Sequence, residues 1–322
     1  MAIGTIPENL FVGRTDILEH LDKALQRATD GRGQLHMLVG EPGIGKTRLA
    51  EQVCEAAKKR GMEVLWGRCQ EDAATPPYWP WEQAIRPWLE QLNPKKRAAF
   101  LGGSASLVAV AFPVVSQLVP GLKPFTTVPD KPEQISHRLY DAIWSFLARA
   151  SAEKPMLIVL DDLHWADEGT LKLLSYTASW LGKSPVMILG TYRDVEVRRK
   201  HPLAGVLAEL TRGRLFERHS LKGLCESEVE SFCTAALPSP KAPAIARDVY
   251  ARTEGNPLFV SEIVRMLTAE GTGPDDRASI RLPDGIKETI GRRLDRLSTM
   301  CNRVLVAASV LAWSSGSRRS PG

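Results

Sequence analysis

Long apolar runs are missing from this 322-residue chain. Its most apolar stretch, Leu107–Val115, is too short to span a bilayer and contains Pro113. Residues Met1 to Arg14 lack the basic-then-apolar order of a signal segment. Cysteine is scarce: the five residues Cys54, Cys69, Cys225, Cys233 and Cys301 form no CxxC pair and no histidine stands at metal-ligand spacing from them. That pattern argues against a disulfide framework and against a zinc site. Neither sign of charge dominates, since 42 Lys and Arg face 37 Asp and Glu for a net +5. The mild basic bias permits a nucleic-acid partner without arguing for one. A soluble, cytoplasmic chain with no membrane partner is expected. What is present is ordinary globular material, 43% apolar and 25% charged, at a length that suggests about two domains and part of a third.

The pattern along the chain alternates. Apolar spacing predicts a helix beyond Phe11-Val12-Gly13-Arg14, with Thr15 as its N-cap, and then a short buried strand at Leu35–Val39. A glycine-rich turn and a helix through Ala57 follow at once, the opening of a βαβ unit. Further strands are predicted at Glu63–Gly67, Met156–Leu160, Val186–Leu189 and Leu215–Leu221. Three prolines in Thr75–Trp81 predict a loop there, and the stretch Pro94–Pro132 reads as an insertion of short helices. Apolar strands separated by helices imply a parallel sheet covered on both faces. Past Leu221 only helices are predicted, at 226–236, 241–253, 257–270, 285–297 and 300–311.

The segment Gly40-Glu41-Pro42-Gly43-Ile44-Gly45-Lys46-Thr47, continued by Arg48, fits GxxxxGK[ST] in full, between a predicted strand and a predicted helix. Glycines let backbone N–H groups wrap a phosphate, and the helix N-terminus adds its positive end. Lys46 would bridge the β- and γ-phosphates, and the Thr47 hydroxyl would ligate Mg²⁺. The second element is the apolar strand that ends in Asp161-Asp162. Alternation along a strand sends the two acids to opposite sides. Asp161 then belongs to the Mg²⁺ shell and Asp162 to the attacking water. The third is Gly190-Thr191-Tyr192-Arg193-Asp194, on the strand-end edge where ligands of open parallel sheets bind. Arg193 either reads the γ-phosphate or pairs with Asp194. Asp167 reads as an N-cap rather than a catalytic acid, and Tyr78-Trp79-Pro80-Trp81 as core.

These elements, with Phe11–Arg14, Leu163-His164-Trp165-Ala166-Asp167 and Thr253-Glu254-Gly255-Asn256-Pro257-Leu258, stand in one order. That order resembles the AAA-type, origin-recognition-like ATPase module of the STAND signalling NTPases. Similar modules occur in LuxR-type large regulators and in soluble adenylyl-cyclase-like proteins. The resemblance implies that Val12, Gly13 and Arg14 lie on the adenine and ribose side of ATP. It implies a sensor role for Arg193 and a lid element at Pro257 that couples nucleotide state to lid position. Read without the family, Asn256-Pro257 is a helix start.

The expected fold is α/β: a P-loop NTPase with a five-stranded parallel sheet whose P-loop strand is central, an all-α lid, and the start of a winged-helix-like module. The expected boundaries are 1–30 for an N-terminal linker and helix, 31–221 for the core, 222–275 for the lid and 276–322 for an incomplete module. The expected activity is slow Mg-ATP hydrolysis that drives a signalling switch. Alternatives are a DNA-binding initiator-type ATPase, a non-hydrolysing scaffold, or the ATPase part of a cyclase-like or LuxR-type regulator. Expected partners are ATP and ADP, further domains of a longer parent, and a second copy in a nucleotide-dependent manner. DNA would bind only through a further domain. The apolar helix 303–311 runs into a patternless tail, which reads as a fragment.

Overall fold

The structure, a computed structural model, describes residues 10–71, 75–126, 132–237, 242–269, 291, 294 and 299–316. The chain divides into two compact units, one of Arg14–Lys222 and one of the segment ending at Gly13 with everything from Gly223 onward.

In the first unit, five parallel strands are β1 (Leu35–Val39), β2 (Glu63–Arg68), β3 (Met156–Asp161), β4 (Val186–Tyr192) and β5 (Phe216–Ser220), in spatial order β2-β3-β4-β1-β5. β4, not the strand of the glycine turn, is the middle strand. β1 lies beside it and next to the edge strand β5. The reason is polarity: β1, β3 and β4 are buried at every residue, whereas Phe-Glu-Arg-His-Ser of β5 is half-buried or exposed at every residue and suits an edge.

The helices of this unit are α1 (Thr15–Thr29), α2 (Lys46–Lys59), α3 (Trp79–Gln91), α4 (Pro94–Leu101), α5 (Ala105–Ala111), α6 (Val114–Leu118), α7 (Pro132–Glu153), α8 (Glu168–Ala178) and α9 (Pro202–Gly213). α2 packs Leu49, Ala50, Val53, Cys54 and Ala57 inward at helical spacing. The predicted short helices of 94–132 are α4 to α6. α3 begins at Trp79, inside the predicted loop, because Pro80 occupies the first turn, where its missing N–H costs nothing. α1 starts one residue earlier than expected: Arg14, in a left-handed conformation, is the N-cap and Thr15 the first helical residue.

The second unit has its own core, in which Val229, Cys233, Val249, Val260, Ile263 and Val264 from α10 (Glu226–Ala236), α11 (Ala242–Thr253) and α12 (Pro257–Ala269) pack with Leu10 and Val12. Asn256 caps α12 by accepting a hydrogen bond from Leu258 N, with Pro257 in the first turn. α13 (Thr299–Gly316) leaves Val304, Leu305 and Val306 exposed. The predicted helix 285–297 lies outside the described residues except at 291 and 294.

Candidate nucleotide site

The sheet register brings the chemistry to one edge. Val39 pairs with Tyr192, Leu160 with Gly190 and Arg68 with Asp161, so β1, β2, β3 and β4 end together. Directly after β1, Gly40 approaches the main chain so closely that a Cβ there would sit 2.8 Å from the Leu221 carbonyl oxygen. Gly45 (φ 94°) turns the chain into α2, whose N-terminus carries no side-chain cap. Its first-turn N–H groups and dipole end are what an anion takes up.

Lys46 is 6% exposed and donates to the carbonyl oxygens of Gly40 and Glu41 at 2.8 and 2.9 Å. Burial lowers its pKa to about 8, with the Arg193 charge acting in the same direction and Asp162 and Asp161 opposing. Of the other residues that the sequence singles out, Arg14 donates through Nη2 to the Ile44 carbonyl at 3.3 Å and to that of Lys222. Arg14 therefore touches the loop. Val12, Gly13 and Pro257 belong to the helical unit. Pro42, Gly43 and Arg48 lie in the loop or at the start of α2, where Arg48 pairs with Glu51 at 2.8 Å.

Asp161 is fully buried. Thr47 Oγ1 lies 3.3 and 3.2 Å from its Oδ1 and Oδ2, and Thr191 Oγ1 donates to Oδ1 at 2.6 Å. Burial raises the Asp161 pKa, the Thr191 hydrogen bond opposes that rise, and the Asp162 charge adds to it. Thr47 and Asp161 offer hard oxygen atoms, the donor class that Mg²⁺ takes, so these residues fit such an ion.

Asp162 has other partners. Arg68 Nε and Nη2 donate to its Oδ2 at 3.0 and 2.7 Å, and its own N–H donates to Thr191 Oγ1 at 2.9 Å. The two acids separate because β3 stops at Asp161 and Asp162 adopts φ 58°, not through strand alternation. A non-glycine residue in that region is uncommon and stores strain, which is frequent at functional sites.

Arg193 is 19% exposed at its side chain, pairs with Glu196 at 2.7 Å and stacks 4.8 Å above the Trp165 ring. Its ion pair is with Glu196, not with the Asp194 that the sequence offers. Asp167 is the N-cap of α8, accepting from Thr170 N at 2.9 Å, and it also accepts from Tyr78 N at 3.2 Å. Trp81 is wholly buried, as core.

Sequence reasoning missed Arg68. The signal for Arg68 was its place at the C-terminal end of a predicted strand, the ligand edge of such sheets. His164 is 3% exposed, with Nε2 lying 3.9 Å from Asp162 Oδ1 and 3.7 Å from Glu196 Oε2. Neither of its ring nitrogens has a hydrogen-bond partner among the described residues.

A glycine loop between β1 and α2 with its buried lysine, set beside two strand-end acids, defines a P-loop nucleoside triphosphatase. The family model for the AAA ATPase domain matches residues 10–189, so the chain belongs to that family and is an ATPase domain. An uncharacterised protein of Rhizobium meliloti (strain 1021) is 22% identical over 282 residues, which cover 82% of this chain and 26% of that protein. The chain thus spans about a quarter of that relative. A Signal Transduction ATPase with Numerous Domains from Pyrococcus horikoshii, which carries a tetratricopeptide repeat sensor, is 18% identical with a TM-score of 0.47. That match covers 81% of this chain and 30% of the other. Cdc6p from Pyrobaculum aerophilum is 14% identical with a TM-score of 0.49, over 86% of this chain and 66% of its own. Among the described residues no helix is long and apolar enough to cross a membrane.

Proposed function

We propose that this ATPase domain binds Mg-ATP in the loop Gly40–Thr47, hydrolyses it slowly to ADP and phosphate, and uses that cycle as a conformational switch in a larger regulator. The observation that carries the reading is the meeting of Thr47 with Asp161 at 3.2 Å beside buried Lys46. Lys46 and the α2 N-terminus would hold the phosphates, while Thr47 and Asp161 would hold Mg²⁺. A bound Mg²⁺ would neutralise phosphate charge. Asp162, kept in place by Arg68, would orient the attacking water or accept its proton. Arg193 would answer to the γ-phosphate through charge-assisted hydrogen bonds.

The switch itself rests on the family resemblance, as do the partners beyond nucleotide: further domains, a second copy, and DNA through a further domain. Single-turnover assays with the chain in excess over Mg-ATP test the chemistry. Conversion to ADP that is lost on Lys46→Ala supports it, and a rate equal to buffer overturns it. Amide exchange over residues 253–268, compared at saturating ATP and ADP, tests the switch. Identical protection in both states removes it.

A further inference from the structure

Far from the glycine loop in chemistry, three imidazoles and a carboxylate converge at the edge of the sheet. His36 lies in β1, Glu217 and His219 lie two apart in β5, and His20 reaches over from α1. The β1–β5 register pairs His36 with Glu217, so all three strand residues share one face. His36 Nδ1 lies 3.0 Å from His219 Nε2 and 3.8 Å from Glu217 Oε2. His20 Nε2 lies 2.5 Å from the same Glu217 oxygen. One ligand atom from each of the four residues falls within 4.8 Å of every other.

We propose that His20, His36, Glu217 and His219 form a binding site for a first-row divalent metal ion, Zn²⁺ being the best match. Four bonds of about 2.0–2.1 Å in a tetrahedron place ligand atoms roughly 3.3 Å apart, and the separations above bracket that spacing. Three imidazole nitrogens select Zn²⁺, Co²⁺ or Cu²⁺ over Mg²⁺ and Ca²⁺, which take oxygen. The two strand imidazoles already converge, the rings of His36 and His219 stacking 5.3 Å apart. The carboxylate supplies the negative charge a dication needs, and Gln34 orients it by donating to Oε1 at 2.9 Å. Among the described residues, Arg27, 3.9 Å from Oε1, is the one cation paired with that carboxylate besides the histidines.

Four protein ligands close the coordination shell, which makes the site structural rather than catalytic. Its work would be to clip α1 to β5, an edge strand that buries little apolar surface of its own. Spacing along the chain hides such a site, because His36, Glu217 and His219 meet through strand pairing and His20 joins them from α1.

The test uses the full chain, stripped with a chelator and kept in excess Mg²⁺ so that hard oxygen sites are filled. Co²⁺ is titrated in and followed by its visible absorption, and Zn²⁺ then competes. One Co²⁺ per chain with four-coordinate bands, displaced by Zn²⁺, is expected. His20→Ala and His219→Ala should each weaken binding by about a hundredfold or more and abolish a Zn²⁺-induced rise in melting temperature. His36 stays untouched because it lies in the core. Absence of a saturable cobalt band in the parent chain overturns the proposal, as does a band that both variants retain. Because ATP turnover is not read, the outcome is independent of the nucleotide reading.

Discussion

Arg68 grips Asp162 by a single oxygen: Nε and Nη2 both point at Oδ2, at 3.0 and 2.7 Å. This leaves Oδ1 on the side of His164, 3.9 Å from Nε2. Arg68 is 53% exposed at its side chain, so the pair contributes little to folding, on the order of 0–1 kcal/mol. Its effect is on the orientation of a carboxylate whose backbone is already in an unfavourable region.

Replacing Arg68 therefore separates orientation from binding. Arg68→Ala should lower kcat for ATP about 10- to 100-fold and leave KM within a few-fold and the melting temperature nearly unchanged. Arg68→Lys should recover part of the loss, since one ammonium replaces two donors in a fixed fork. A raised KM at unchanged kcat would mean that Arg68 touches the nucleotide instead.

The two acids should fail in different ways. Asp162→Asn keeps the size of the side chain and removes the proton acceptor, so Mg-ATP should still bind while turnover stops. Asp161→Asn should weaken the Mg²⁺ dependence and also destabilise the fold. Thr191 donates to Asp161 Oδ1 and accepts from Asp162 N, and an amide in that buried cluster mispairs at a cost of about 1–3 kcal/mol. Urea melts and Mg²⁺ titrations of turnover check both variants. Parent rates in both would reduce the strand-end acids to a polar loop.

The ease with which the sequence yielded this site follows from how its parts are arranged. Gly40–Thr47 and Asp161-Asp162 are contiguous, so their chemistry is visible in one line of residues, and the buried strands before them supply the context. Arg68 and the histidine cluster depend on which strands are neighbours and in what register, Arg68 against Asp161 and His36 against Glu217. Neither pairing leaves a periodic trace. The backbone conformation of Asp162 is hidden for a local reason, a left-handed φ at a residue type that gives no warning of it. The start of α3 is equally hard to see, because proline breaks most helices yet is accepted in the first turn, where Pro80 stands.

Lys46 links nucleotide binding to protons. Burial holds its pKa at about 8, and a polyphosphate placed against it would raise that value. A group whose pKa rises on binding takes up a proton whenever pH exceeds its free value. ATP affinity should therefore be flat below pH 8 and fall above it, about tenfold between pH 7 and pH 9. Calorimetry in buffers of different ionisation enthalpy should show proton uptake at pH 9 and little at pH 7. Lys46→Arg carries a charge that does not titrate there, so whatever affinity it keeps should lose the slope. A slope unchanged in that variant would assign the proton elsewhere.

His164 makes folding itself sensitive to acid. Burial lowers its pKa from 6.5 to about 4, against the pull of Asp162 and Glu196 and with the help of Arg193 and Lys46. The folded chain therefore holds this ring neutral where the unfolded chain protonates it. With the folded value below the unfolded one, the contribution is complete above pH 6.5 and is lost as pH falls through 6.5 towards 4. Between pH 7.5 and pH 4.5 that loss comes to roughly 2 to 3 kcal/mol. Other buried groups also titrate in this range, so the measurement must be a difference between two chains. His164→Phe keeps an aromatic ring against Trp165, whose centroid is 4.5 Å away, and has nothing to protonate. Urea unfolding at both pH values should show the parent losing more stability than His164→Phe by about that amount. Equal losses in the two chains would show that the ring takes up its proton as readily in the folded protein as in the unfolded one, despite its burial.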